Sequence, residues 1–516
     1  MTAPGPHPTA LDLRLVPAAL TSWAVTAAGI IWPPWSSSWV VLAAAVVAAA
    51  ATWWASRRNP ASQQAGWPGV VAVVTVGVAF AISIGLRMHD IAQHPIVARY
   101  GTTASVVVSP NESPRFLGGS RLMFRGSLQA LDGAESHGRV IVFASAVGYD
   151  ELTAGRPVTF RARIGRPTRP ELTVAVLSAT GEPTLGRAPG WQRVAARVRA
   201  EFADAARAVL PADQAAMLPA LVLGDTSAVP AQTDSEFRSA GLTHLTAVSG
   251  ANVTIVCGAV LLTAAVIGPR AAAAAAAIAL VAFVAVVQPS ASVLRAAVMG
   301  AIALFAIVSR RRRQAVPALS ASVIVLMIVA PELAVDLGFT LSVVATAALV
   351  VIAPVWSRRL VGRGWPKPLA DAVVVALAAQ LVTAPIIAGM SGTFSVVSVI
   401  ANLAVAVVIP PITVIGTVAA TLSALWPSAT RLLVRFTGPE LWWLLHVAHW
   451  TAAIPGASVP VPSGLAGVGC LAAAGVAVVV GWRWRWGRAA VAVALLGLLA
   501  WSAGHGVGAV GAVGPS

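Results

Sequence analysis

The chain has 516 residues, 57% of them hydrophobic and only 10% charged, and its formal net charge is +16. A soluble domain carries about 25% charged residues, so an ordinary water-soluble globule is excluded and an α-helical polytopic membrane protein is expected. Every basic residue except Lys367 is arginine, and Cys257 and Cys470 lie inside apolar runs, where they read as small buried hydrophobes rather than a disulfide or zinc framework.

Three apolar runs, near 16–32, 38–55 and 69–86, make residues 1–86 an N-terminal group of three membrane helices. No signal-peptide cleavage site is recognisable, so the first helix is expected to be retained. Hydrophobicity then collapses. Residues 87–187 hold five β-rich segments, 103–109, 121–131, 138–145, 156–164 and 172–179, punctuated by Gly, Pro, Asn, Asp and Ser. Five short strands in so little chain suit a small Greek-key barrel of the OB-fold kind. Arg121, Arg125, Arg161, Arg163 and Arg166 are its candidate phosphate contacts, and Phe124, Phe143, Tyr149 and Phe160 its candidate stacking faces.

Residues 188–240 form a linker with helical spacing: Val194, Val198, Phe202, Ala205 and Val209 share one face, as in a helix lying along a membrane surface. Residues 241–455 read as a transmembrane core and 456–516 as C-terminal helices, for about 11 or 12 spans in all. Basic clusters at 57–58, 310–313, 358–367, 431–435 and 483–488 alternate with loops that carry none. Basic loops stay inside, so the N-terminus is expected in the cytoplasm and the β-rich insert outside.

Polar residues inside the core demand partners, a cavity or water. The stretch GLTHLTAVSGANV places His244, Ser249, Gly250 and Asn252 at the mouth of an apolar run. Ser249-Gly250 approaches the G-x-S-G of intramembrane serine proteases. Such a serine needs a histidine base within reach, yet His244 is five residues earlier, roughly 140° away on a helical wheel. Close helix packing accounts for Ser249 and Gly250 but not for His244 or Asn252. Arg295, flanked by apolar residues, either snorkels to the outer end or faces a watery path for an anion. Gln380 and Asn402 lie deep in apolar runs, and Pro385, Pro410 and Pro411 interrupt helices, where freed carbonyls can line a cavity. His446 and His449 fall in a Trp-rich interfacial segment. No metal-ligand spacing and no GxxxxGK[ST] occurs, so no metal, cofactor, ATPase or nuclease chemistry is expected, and the chain is not read as an enzyme.

These residues sit in ordered blocks: ALVLGD (220–225), FRSAGLTHLTAVSGANV (237–253), PSASVLRAAVMG (289–300), PELAVDLGFTLSVVAT (331–346), AAQLVTAPI (378–386) and SVIANLAVAVVIPP (398–411). Together they resemble the ComEC family, the membrane channels of bacterial DNA uptake. The resemblance implies a multispanning pore in the cytoplasmic membrane that passes single-stranded DNA inward during natural transformation. It puts His244, Ser249, Gly250, Arg295, Asp336, Gln380 and Asn402 on recurrent family positions, with Arg295 the donor best suited to a translocated phosphate. The partners implied are single-stranded DNA, the lipid bilayer, an extracytoplasmic DNA receptor and a cytoplasmic DNA-translocating ATPase; degradation of the other strand, where needed, calls for a separate nuclease, and the sequence leaves a homodimer open. The chain departs from the pattern at Asn252, where many members have histidine. It is also expected to lack the metallo-β-lactamase-like domain that ends many members. Two other readings stand beside this one: a transporter or scaffold for another polar or anionic substrate, and, more remotely, an intramembrane serine hydrolase.

Overall fold

The computed structural model describes residues 12–32, 66–112, 114–118, 121–149, 152, 154–169, 171–246, 250–287, 290–309 and 314–481. Elements are labelled in order among these residues. The contacts gather into two compact units that interleave in sequence: Met1–Arg197 with Val256–Thr340, and Val198–Ile255 with Leu341–Ser516.

In the first unit, helices α1 (Val16–Ile31) and α2 (Gly66–Ala92) meet at Gly29, where an added Cβ would stand 2.6 Å from Ile84 Cγ2. The close approach therefore needs a residue without a side chain. Both helices also hold α9 (Ala315–Val329) and the turn that follows it. Trp23 Nε1 donates to the Ala334 carbonyl over 2.9 Å, and Arg87 Nη2 donates to the Ile328 carbonyl over 3.0 Å.

From α2 the chain passes through the 3-10 turn Pro95–Arg99 directly into the β-rich region. Its strands are β1 (Thr103–Pro110), β2 (Arg115–Gly118), β3 (Arg121–Leu131), β4 (Ala134–Ser145), β5 (Val158–Gly165) and β6 (Ala175–Leu185). All five strands expected from alternation are present; the short β2 is additional. Neighbours run β1-β5-β6-β4-β3, and β1 also pairs with β3, so five strands close into a barrel with β2 added beside β3. Every pairing is antiparallel except β4 with β6. Alternate residues point inward, as a period of two requires, and Val106, Leu122, Phe124, Val142, Ile164 and Leu177 fill the core. The β3–β4 turn is Asp132-Gly133, both with positive φ, the combination a tight hairpin prefers. Arg139 on β4 forms a 2.5 Å ion pair with Glu332, which ties the barrel to the turn after α9.

Among the described residues, five helices are long and apolar enough to cross a membrane: Gly69–Arg99, Pro269–Val287, Ala291–Val308, Leu337–Val361 and Lys367–Ser391. A sixth span arises if Ser398–Val405 and Ile409–Leu422, bent by 54° at their junction, count as one. The sequence led us to expect about 11 or 12. The difference lies partly in short apolar helices such as Val16–Ile31 and Ala212–Leu223: at 1.5 Å per residue, 12–16 residues extend about 18–24 Å, less than a bilayer core. The run at 38–55 and all of 456–516 beyond Gly481 lie outside the described residues.

The second unit contains the end of α3 (Gly190–Val209), then α4 (Ala212–Leu223), α5 (Ala231–Ser239) and the start of α6 (Gly250–Ala264). It continues from within α10 (Leu337–Val351) through α11 (Ala353–Val361), α12 (Lys367–Ser391), β7 (Thr393–Ser395), α13 (Ser398–Val405), α14 (Ile409–Leu422), α15 (Pro427–Phe436), α16 (Gly438–Ala452), β8 (Ser458–Pro460) and α17 (Gly464–Gly481). The helices α7 (Pro269–Val287) and α8 (Ala291–Val308) belong to the first unit. Phe202 on α3 is fully buried, whereas Val194 of the expected apolar face is exposed. Strands β7 and β8 pair antiparallel, which brings the end of α12 and the approach to α17 to one end of this unit. Helix α16 runs toward that end over 15 residues, about 22 Å. The chain entering α16, and with it α15, therefore lies at the opposite end, together with the start of α12.

Candidate functional site

The barrel presents one continuous outer face over β3, β4, β6 and β5. Register sets Met123 beside Phe143, Phe143 beside Ser178, and Ser178 beside Arg163. One residue pair away, Arg121 faces Ser145 and Arg161 faces Thr180. Arg121 and Arg125 thus form an exposed row on β3, and Arg161 and Arg163 a second row on β5. Three strand steps of about 4.8 Å separate the rows along the curved surface, roughly 14 Å. Half-buried Ile141 and Phe143 lie between them. Arg125 also stands 4.0 Å from Glu112. Arg166 is exposed in the segment after β5. Burial raises the pKa of the Tyr100 phenol, and the charge of Arg166 partly offsets that rise.

Phe124 does not belong to this face. It is fully buried in the barrel core, because it shares the inward parity of Leu122 rather than that of Arg121 and Arg125. Tyr149 and Phe160 are buried as well and meet edge to face at 5.8 Å. Of the four aromatic side chains, Phe143 alone keeps an outward surface.

Two more of the singled-out residues lie in the first unit. Arg295, on α8, is 5% exposed, and its Nη1 reaches the Met299 sulfur one turn on at 3.4 Å. Its side chain is thus buried within the protein. Asp336 caps α10: its Oδ1 accepts the Phe339 N–H over 2.7 Å. A Cβ on Gly338 would stand 3.1 Å from that same oxygen. The capped turn carries fully buried Phe339 against Trp23, ring centroids 5.3 Å apart.

The second unit joins three widely separated segments through one polar network. Ser398 Oγ donates to Gln380 Oε1 over 3.0 Å. Asn402 Nδ2 donates to the Ser398 carbonyl over 2.8 Å, and approaches the Gly241 carbonyl at 3.5 Å. Ser395 Oγ donates to the Ser239 carbonyl over 2.7 Å. Gly241 adopts φ +71°, and a Cβ there would stand 2.5 Å from Ser398 Oγ. Nearby, His449 Nδ1 and Glu236 Oε1 pair at 3.0 Å, and Trp443 Nε1 donates to the Ala404 carbonyl beside the α13–α14 bend. Pro385 lies inside α12, where it supplies no N–H to the preceding turn.

His244 sits on the 3-10 turn Thr243–Leu245 with its side chain exposed. Gly250 opens α6. Asn252, two residues into that helix, donates to the Leu221 carbonyl over 3.1 Å and so satisfies a carbonyl in the last turn of α4. Ser249 lies outside the described residues.

The family model for Competence protein matches residues 221–487. That is more than half of the chain. The chain belongs to the Competence protein family. Its ComEC resemblance is borne out a second time by ComE operon protein 3 of Bacillus subtilis (strain 168), 27% identical over 197 residues. This match covers 38% of the present chain and 25% of that relative, so the chain spans about a quarter of the relative's length. No solved structure matches.

The Competence protein segment contains the whole Gly241–Gln380–Ser398–Asn402 network, together with Arg295 and Asp336, and leaves the barrel outside it. Ser398, Ser395 and Ser239 were not singled out from the sequence. The signal for Ser398 is its spacing four residues before Asn402, which puts both on one helix face.

Proposed function

We propose that this chain is a multi-pass protein of the cytoplasmic membrane that carries single-stranded DNA into the cell during natural transformation. Its N-terminus faces the cytoplasm and its barrel lies outside. The observation that carries the reading is the pair of arginine rows flanking Phe143. Two cationic rows beside an aromatic surface suit a strand whose phosphates need neutralising while a base stacks. The strand order supports an OB-fold, since β1-β3-β4-β6-β5 closing on β1 follows that barrel's connectivity. The OB-fold binding face is its second and third strands, here β3 and β4. The helical bundle then conducts the strand, with Arg295 as the cation nearest to a phosphate path. An outer receptor delivers DNA, a cytoplasmic ATPase supplies work, and a separate nuclease removes the other strand.

Titration of the purified full chain with a fluorescent single-stranded oligonucleotide at several salt concentrations tests the barrel's part. The quadruple variant R121Q/R125Q/R161Q/R163Q should flatten the dependence of log K on log salt by about 3, at about 0.7 for each phosphate no longer neutralised. An unchanged slope would remove the barrel face from the reading. Transformation assays of the host with and without the gene test the whole.

A further inference from the structure

We infer that α15 is a docking surface for anionic phospholipid on the cytoplasmic leaflet. This rests on the membrane-spanning part of the reading above and is independent of DNA. Helix α15 is short and two-faced. Thr430 and Val434 are buried inward, with Thr430 Oγ1 donating to the Ala419 carbonyl of α14 over 3.3 Å. On the outer side Arg431 and Arg435 are spaced four apart, as are Leu432 and Phe436, so cationic and apolar stripes lie side by side. Leu432 and Phe436 are 58% and 62% exposed, and Leu425 and Trp426, just ahead of the helix, 81% and 61%. Such a cluster of large apolar side chains in water is unfavourable; hydrocarbon beside an anionic headgroup layer satisfies both stripes at once.

The β7–β8 ribbon and the run of α16 put α15 at the end of its unit where α12 begins. The exposed cations Arg358, Arg359, Arg363 and Lys367 are at that same end. Basic loops face the cytoplasm, whose leaflet carries the anionic lipid. A nucleic acid would satisfy Arg431 and Arg435 but leave Leu425, Leu432 and Phe436 in water, so lipid fits better.

The test uses the full chain in nanodiscs of mixed phosphatidylcholine and phosphatidylglycerol, with retained lipid counted by native mass spectrometry. Wild type should retain phosphatidylglycerol in preference to phosphatidylcholine. R431Q/R435Q, chosen because neither side chain is buried, should reduce phosphatidylglycerol retention about 5- to 30-fold and leave phosphatidylcholine unchanged. Equal retention by wild type and R431Q/R435Q, at equal Tm, would overturn the inference. So would displacement of phosphatidylglycerol by a single-stranded oligonucleotide in wild type but not in R431Q/R435Q, which would make the helix a strand platform. Failure of the DNA-transport reading leaves all of these lipid counts as they are.

Discussion

The Ser398 hydroxyl donates to Gln380 Oε1 over 3.0 Å, joining the first turn of α13 to the interior of α12. Both residues lie in apolar surroundings, and Asn402 extends the contact toward Gly241. Four polar groups from three distant parts of the sequence therefore satisfy one another. Taken one at a time they look like channel-lining residues; in the fold they hold the segment that carries His244.

Ser398→Ala should cost about 1–3 kcal/mol, because it strips Gln380 of its donor in a partly buried setting. Gln380→Leu in the same chain should return part of that loss, and a thermal-melt double-mutant cycle in detergent measures the coupling. Additive effects would show that the bond contributes nothing. Gly241→Ala should be worse than its left-handed strain alone, about 1–2 kcal/mol, since the new Cβ meets Ser398 Oγ at 2.5 Å. Adding Ser398→Gly should relieve the clash and leave the strain.

Phe143→Ala and Phe124→Ala should fail in different ways. Phe143, outward between the arginine rows, should weaken single-strand binding by about 1–3 kcal/mol with the Tm nearly unchanged. Phe124, in the core, should cost about 3–5 kcal/mol of barrel stability. Protease resistance of the barrel in the intact chain, measured beside oligonucleotide affinity, separates the two.

Arg295 separates stability from transport. A buried cation replaced by a packed apolar side chain is often neutral or stabilising. Arg295→Met should therefore keep or raise the Tm while lowering DNA uptake on the order of tenfold, about 1.4 kcal/mol, if its charge serves the strand. Arg295→Lys should retain more uptake. Membrane levels by immunoblot and uptake of labelled DNA are the readouts, and normal uptake by Arg295→Met would make the residue structural.

The barrel was legible because alternation of apolar and polar residues over 121–131 and 138–145 states which side chains point inward. The same parity places Phe124 with Leu122 and not with Arg121, a reading that composition alone obscures. Strand β2 has only four residues and no alternation to declare it. The network was less visible. The positive φ of Gly241 and the nearness of Ser398 to Gln380 come from chain segments that meet only in three dimensions. Asn252 was recognised as out of place in apolar surroundings and Asp336 was reached only through the family resemblance, but helix-end bonds such as theirs are indistinguishable in sequence from ligand contacts.

The two-stranded ribbon of β7 and β8 gives the last fully described helix more than a peripheral place. Val468 of α17 fills the notch left by Gly389 on α12, and Val461 N–H bonds the Gly392 carbonyl. A chain cut after residue 455 would lose the partner strand of β7, the packing at Gly389 and the bond to Gly392 together. Since the Ser395 hydroxyl at the end of β7 reaches the Ser239 carbonyl, the damage would travel through the ribbon and that bond to the turn that bears His244, with every residue of that turn still in place.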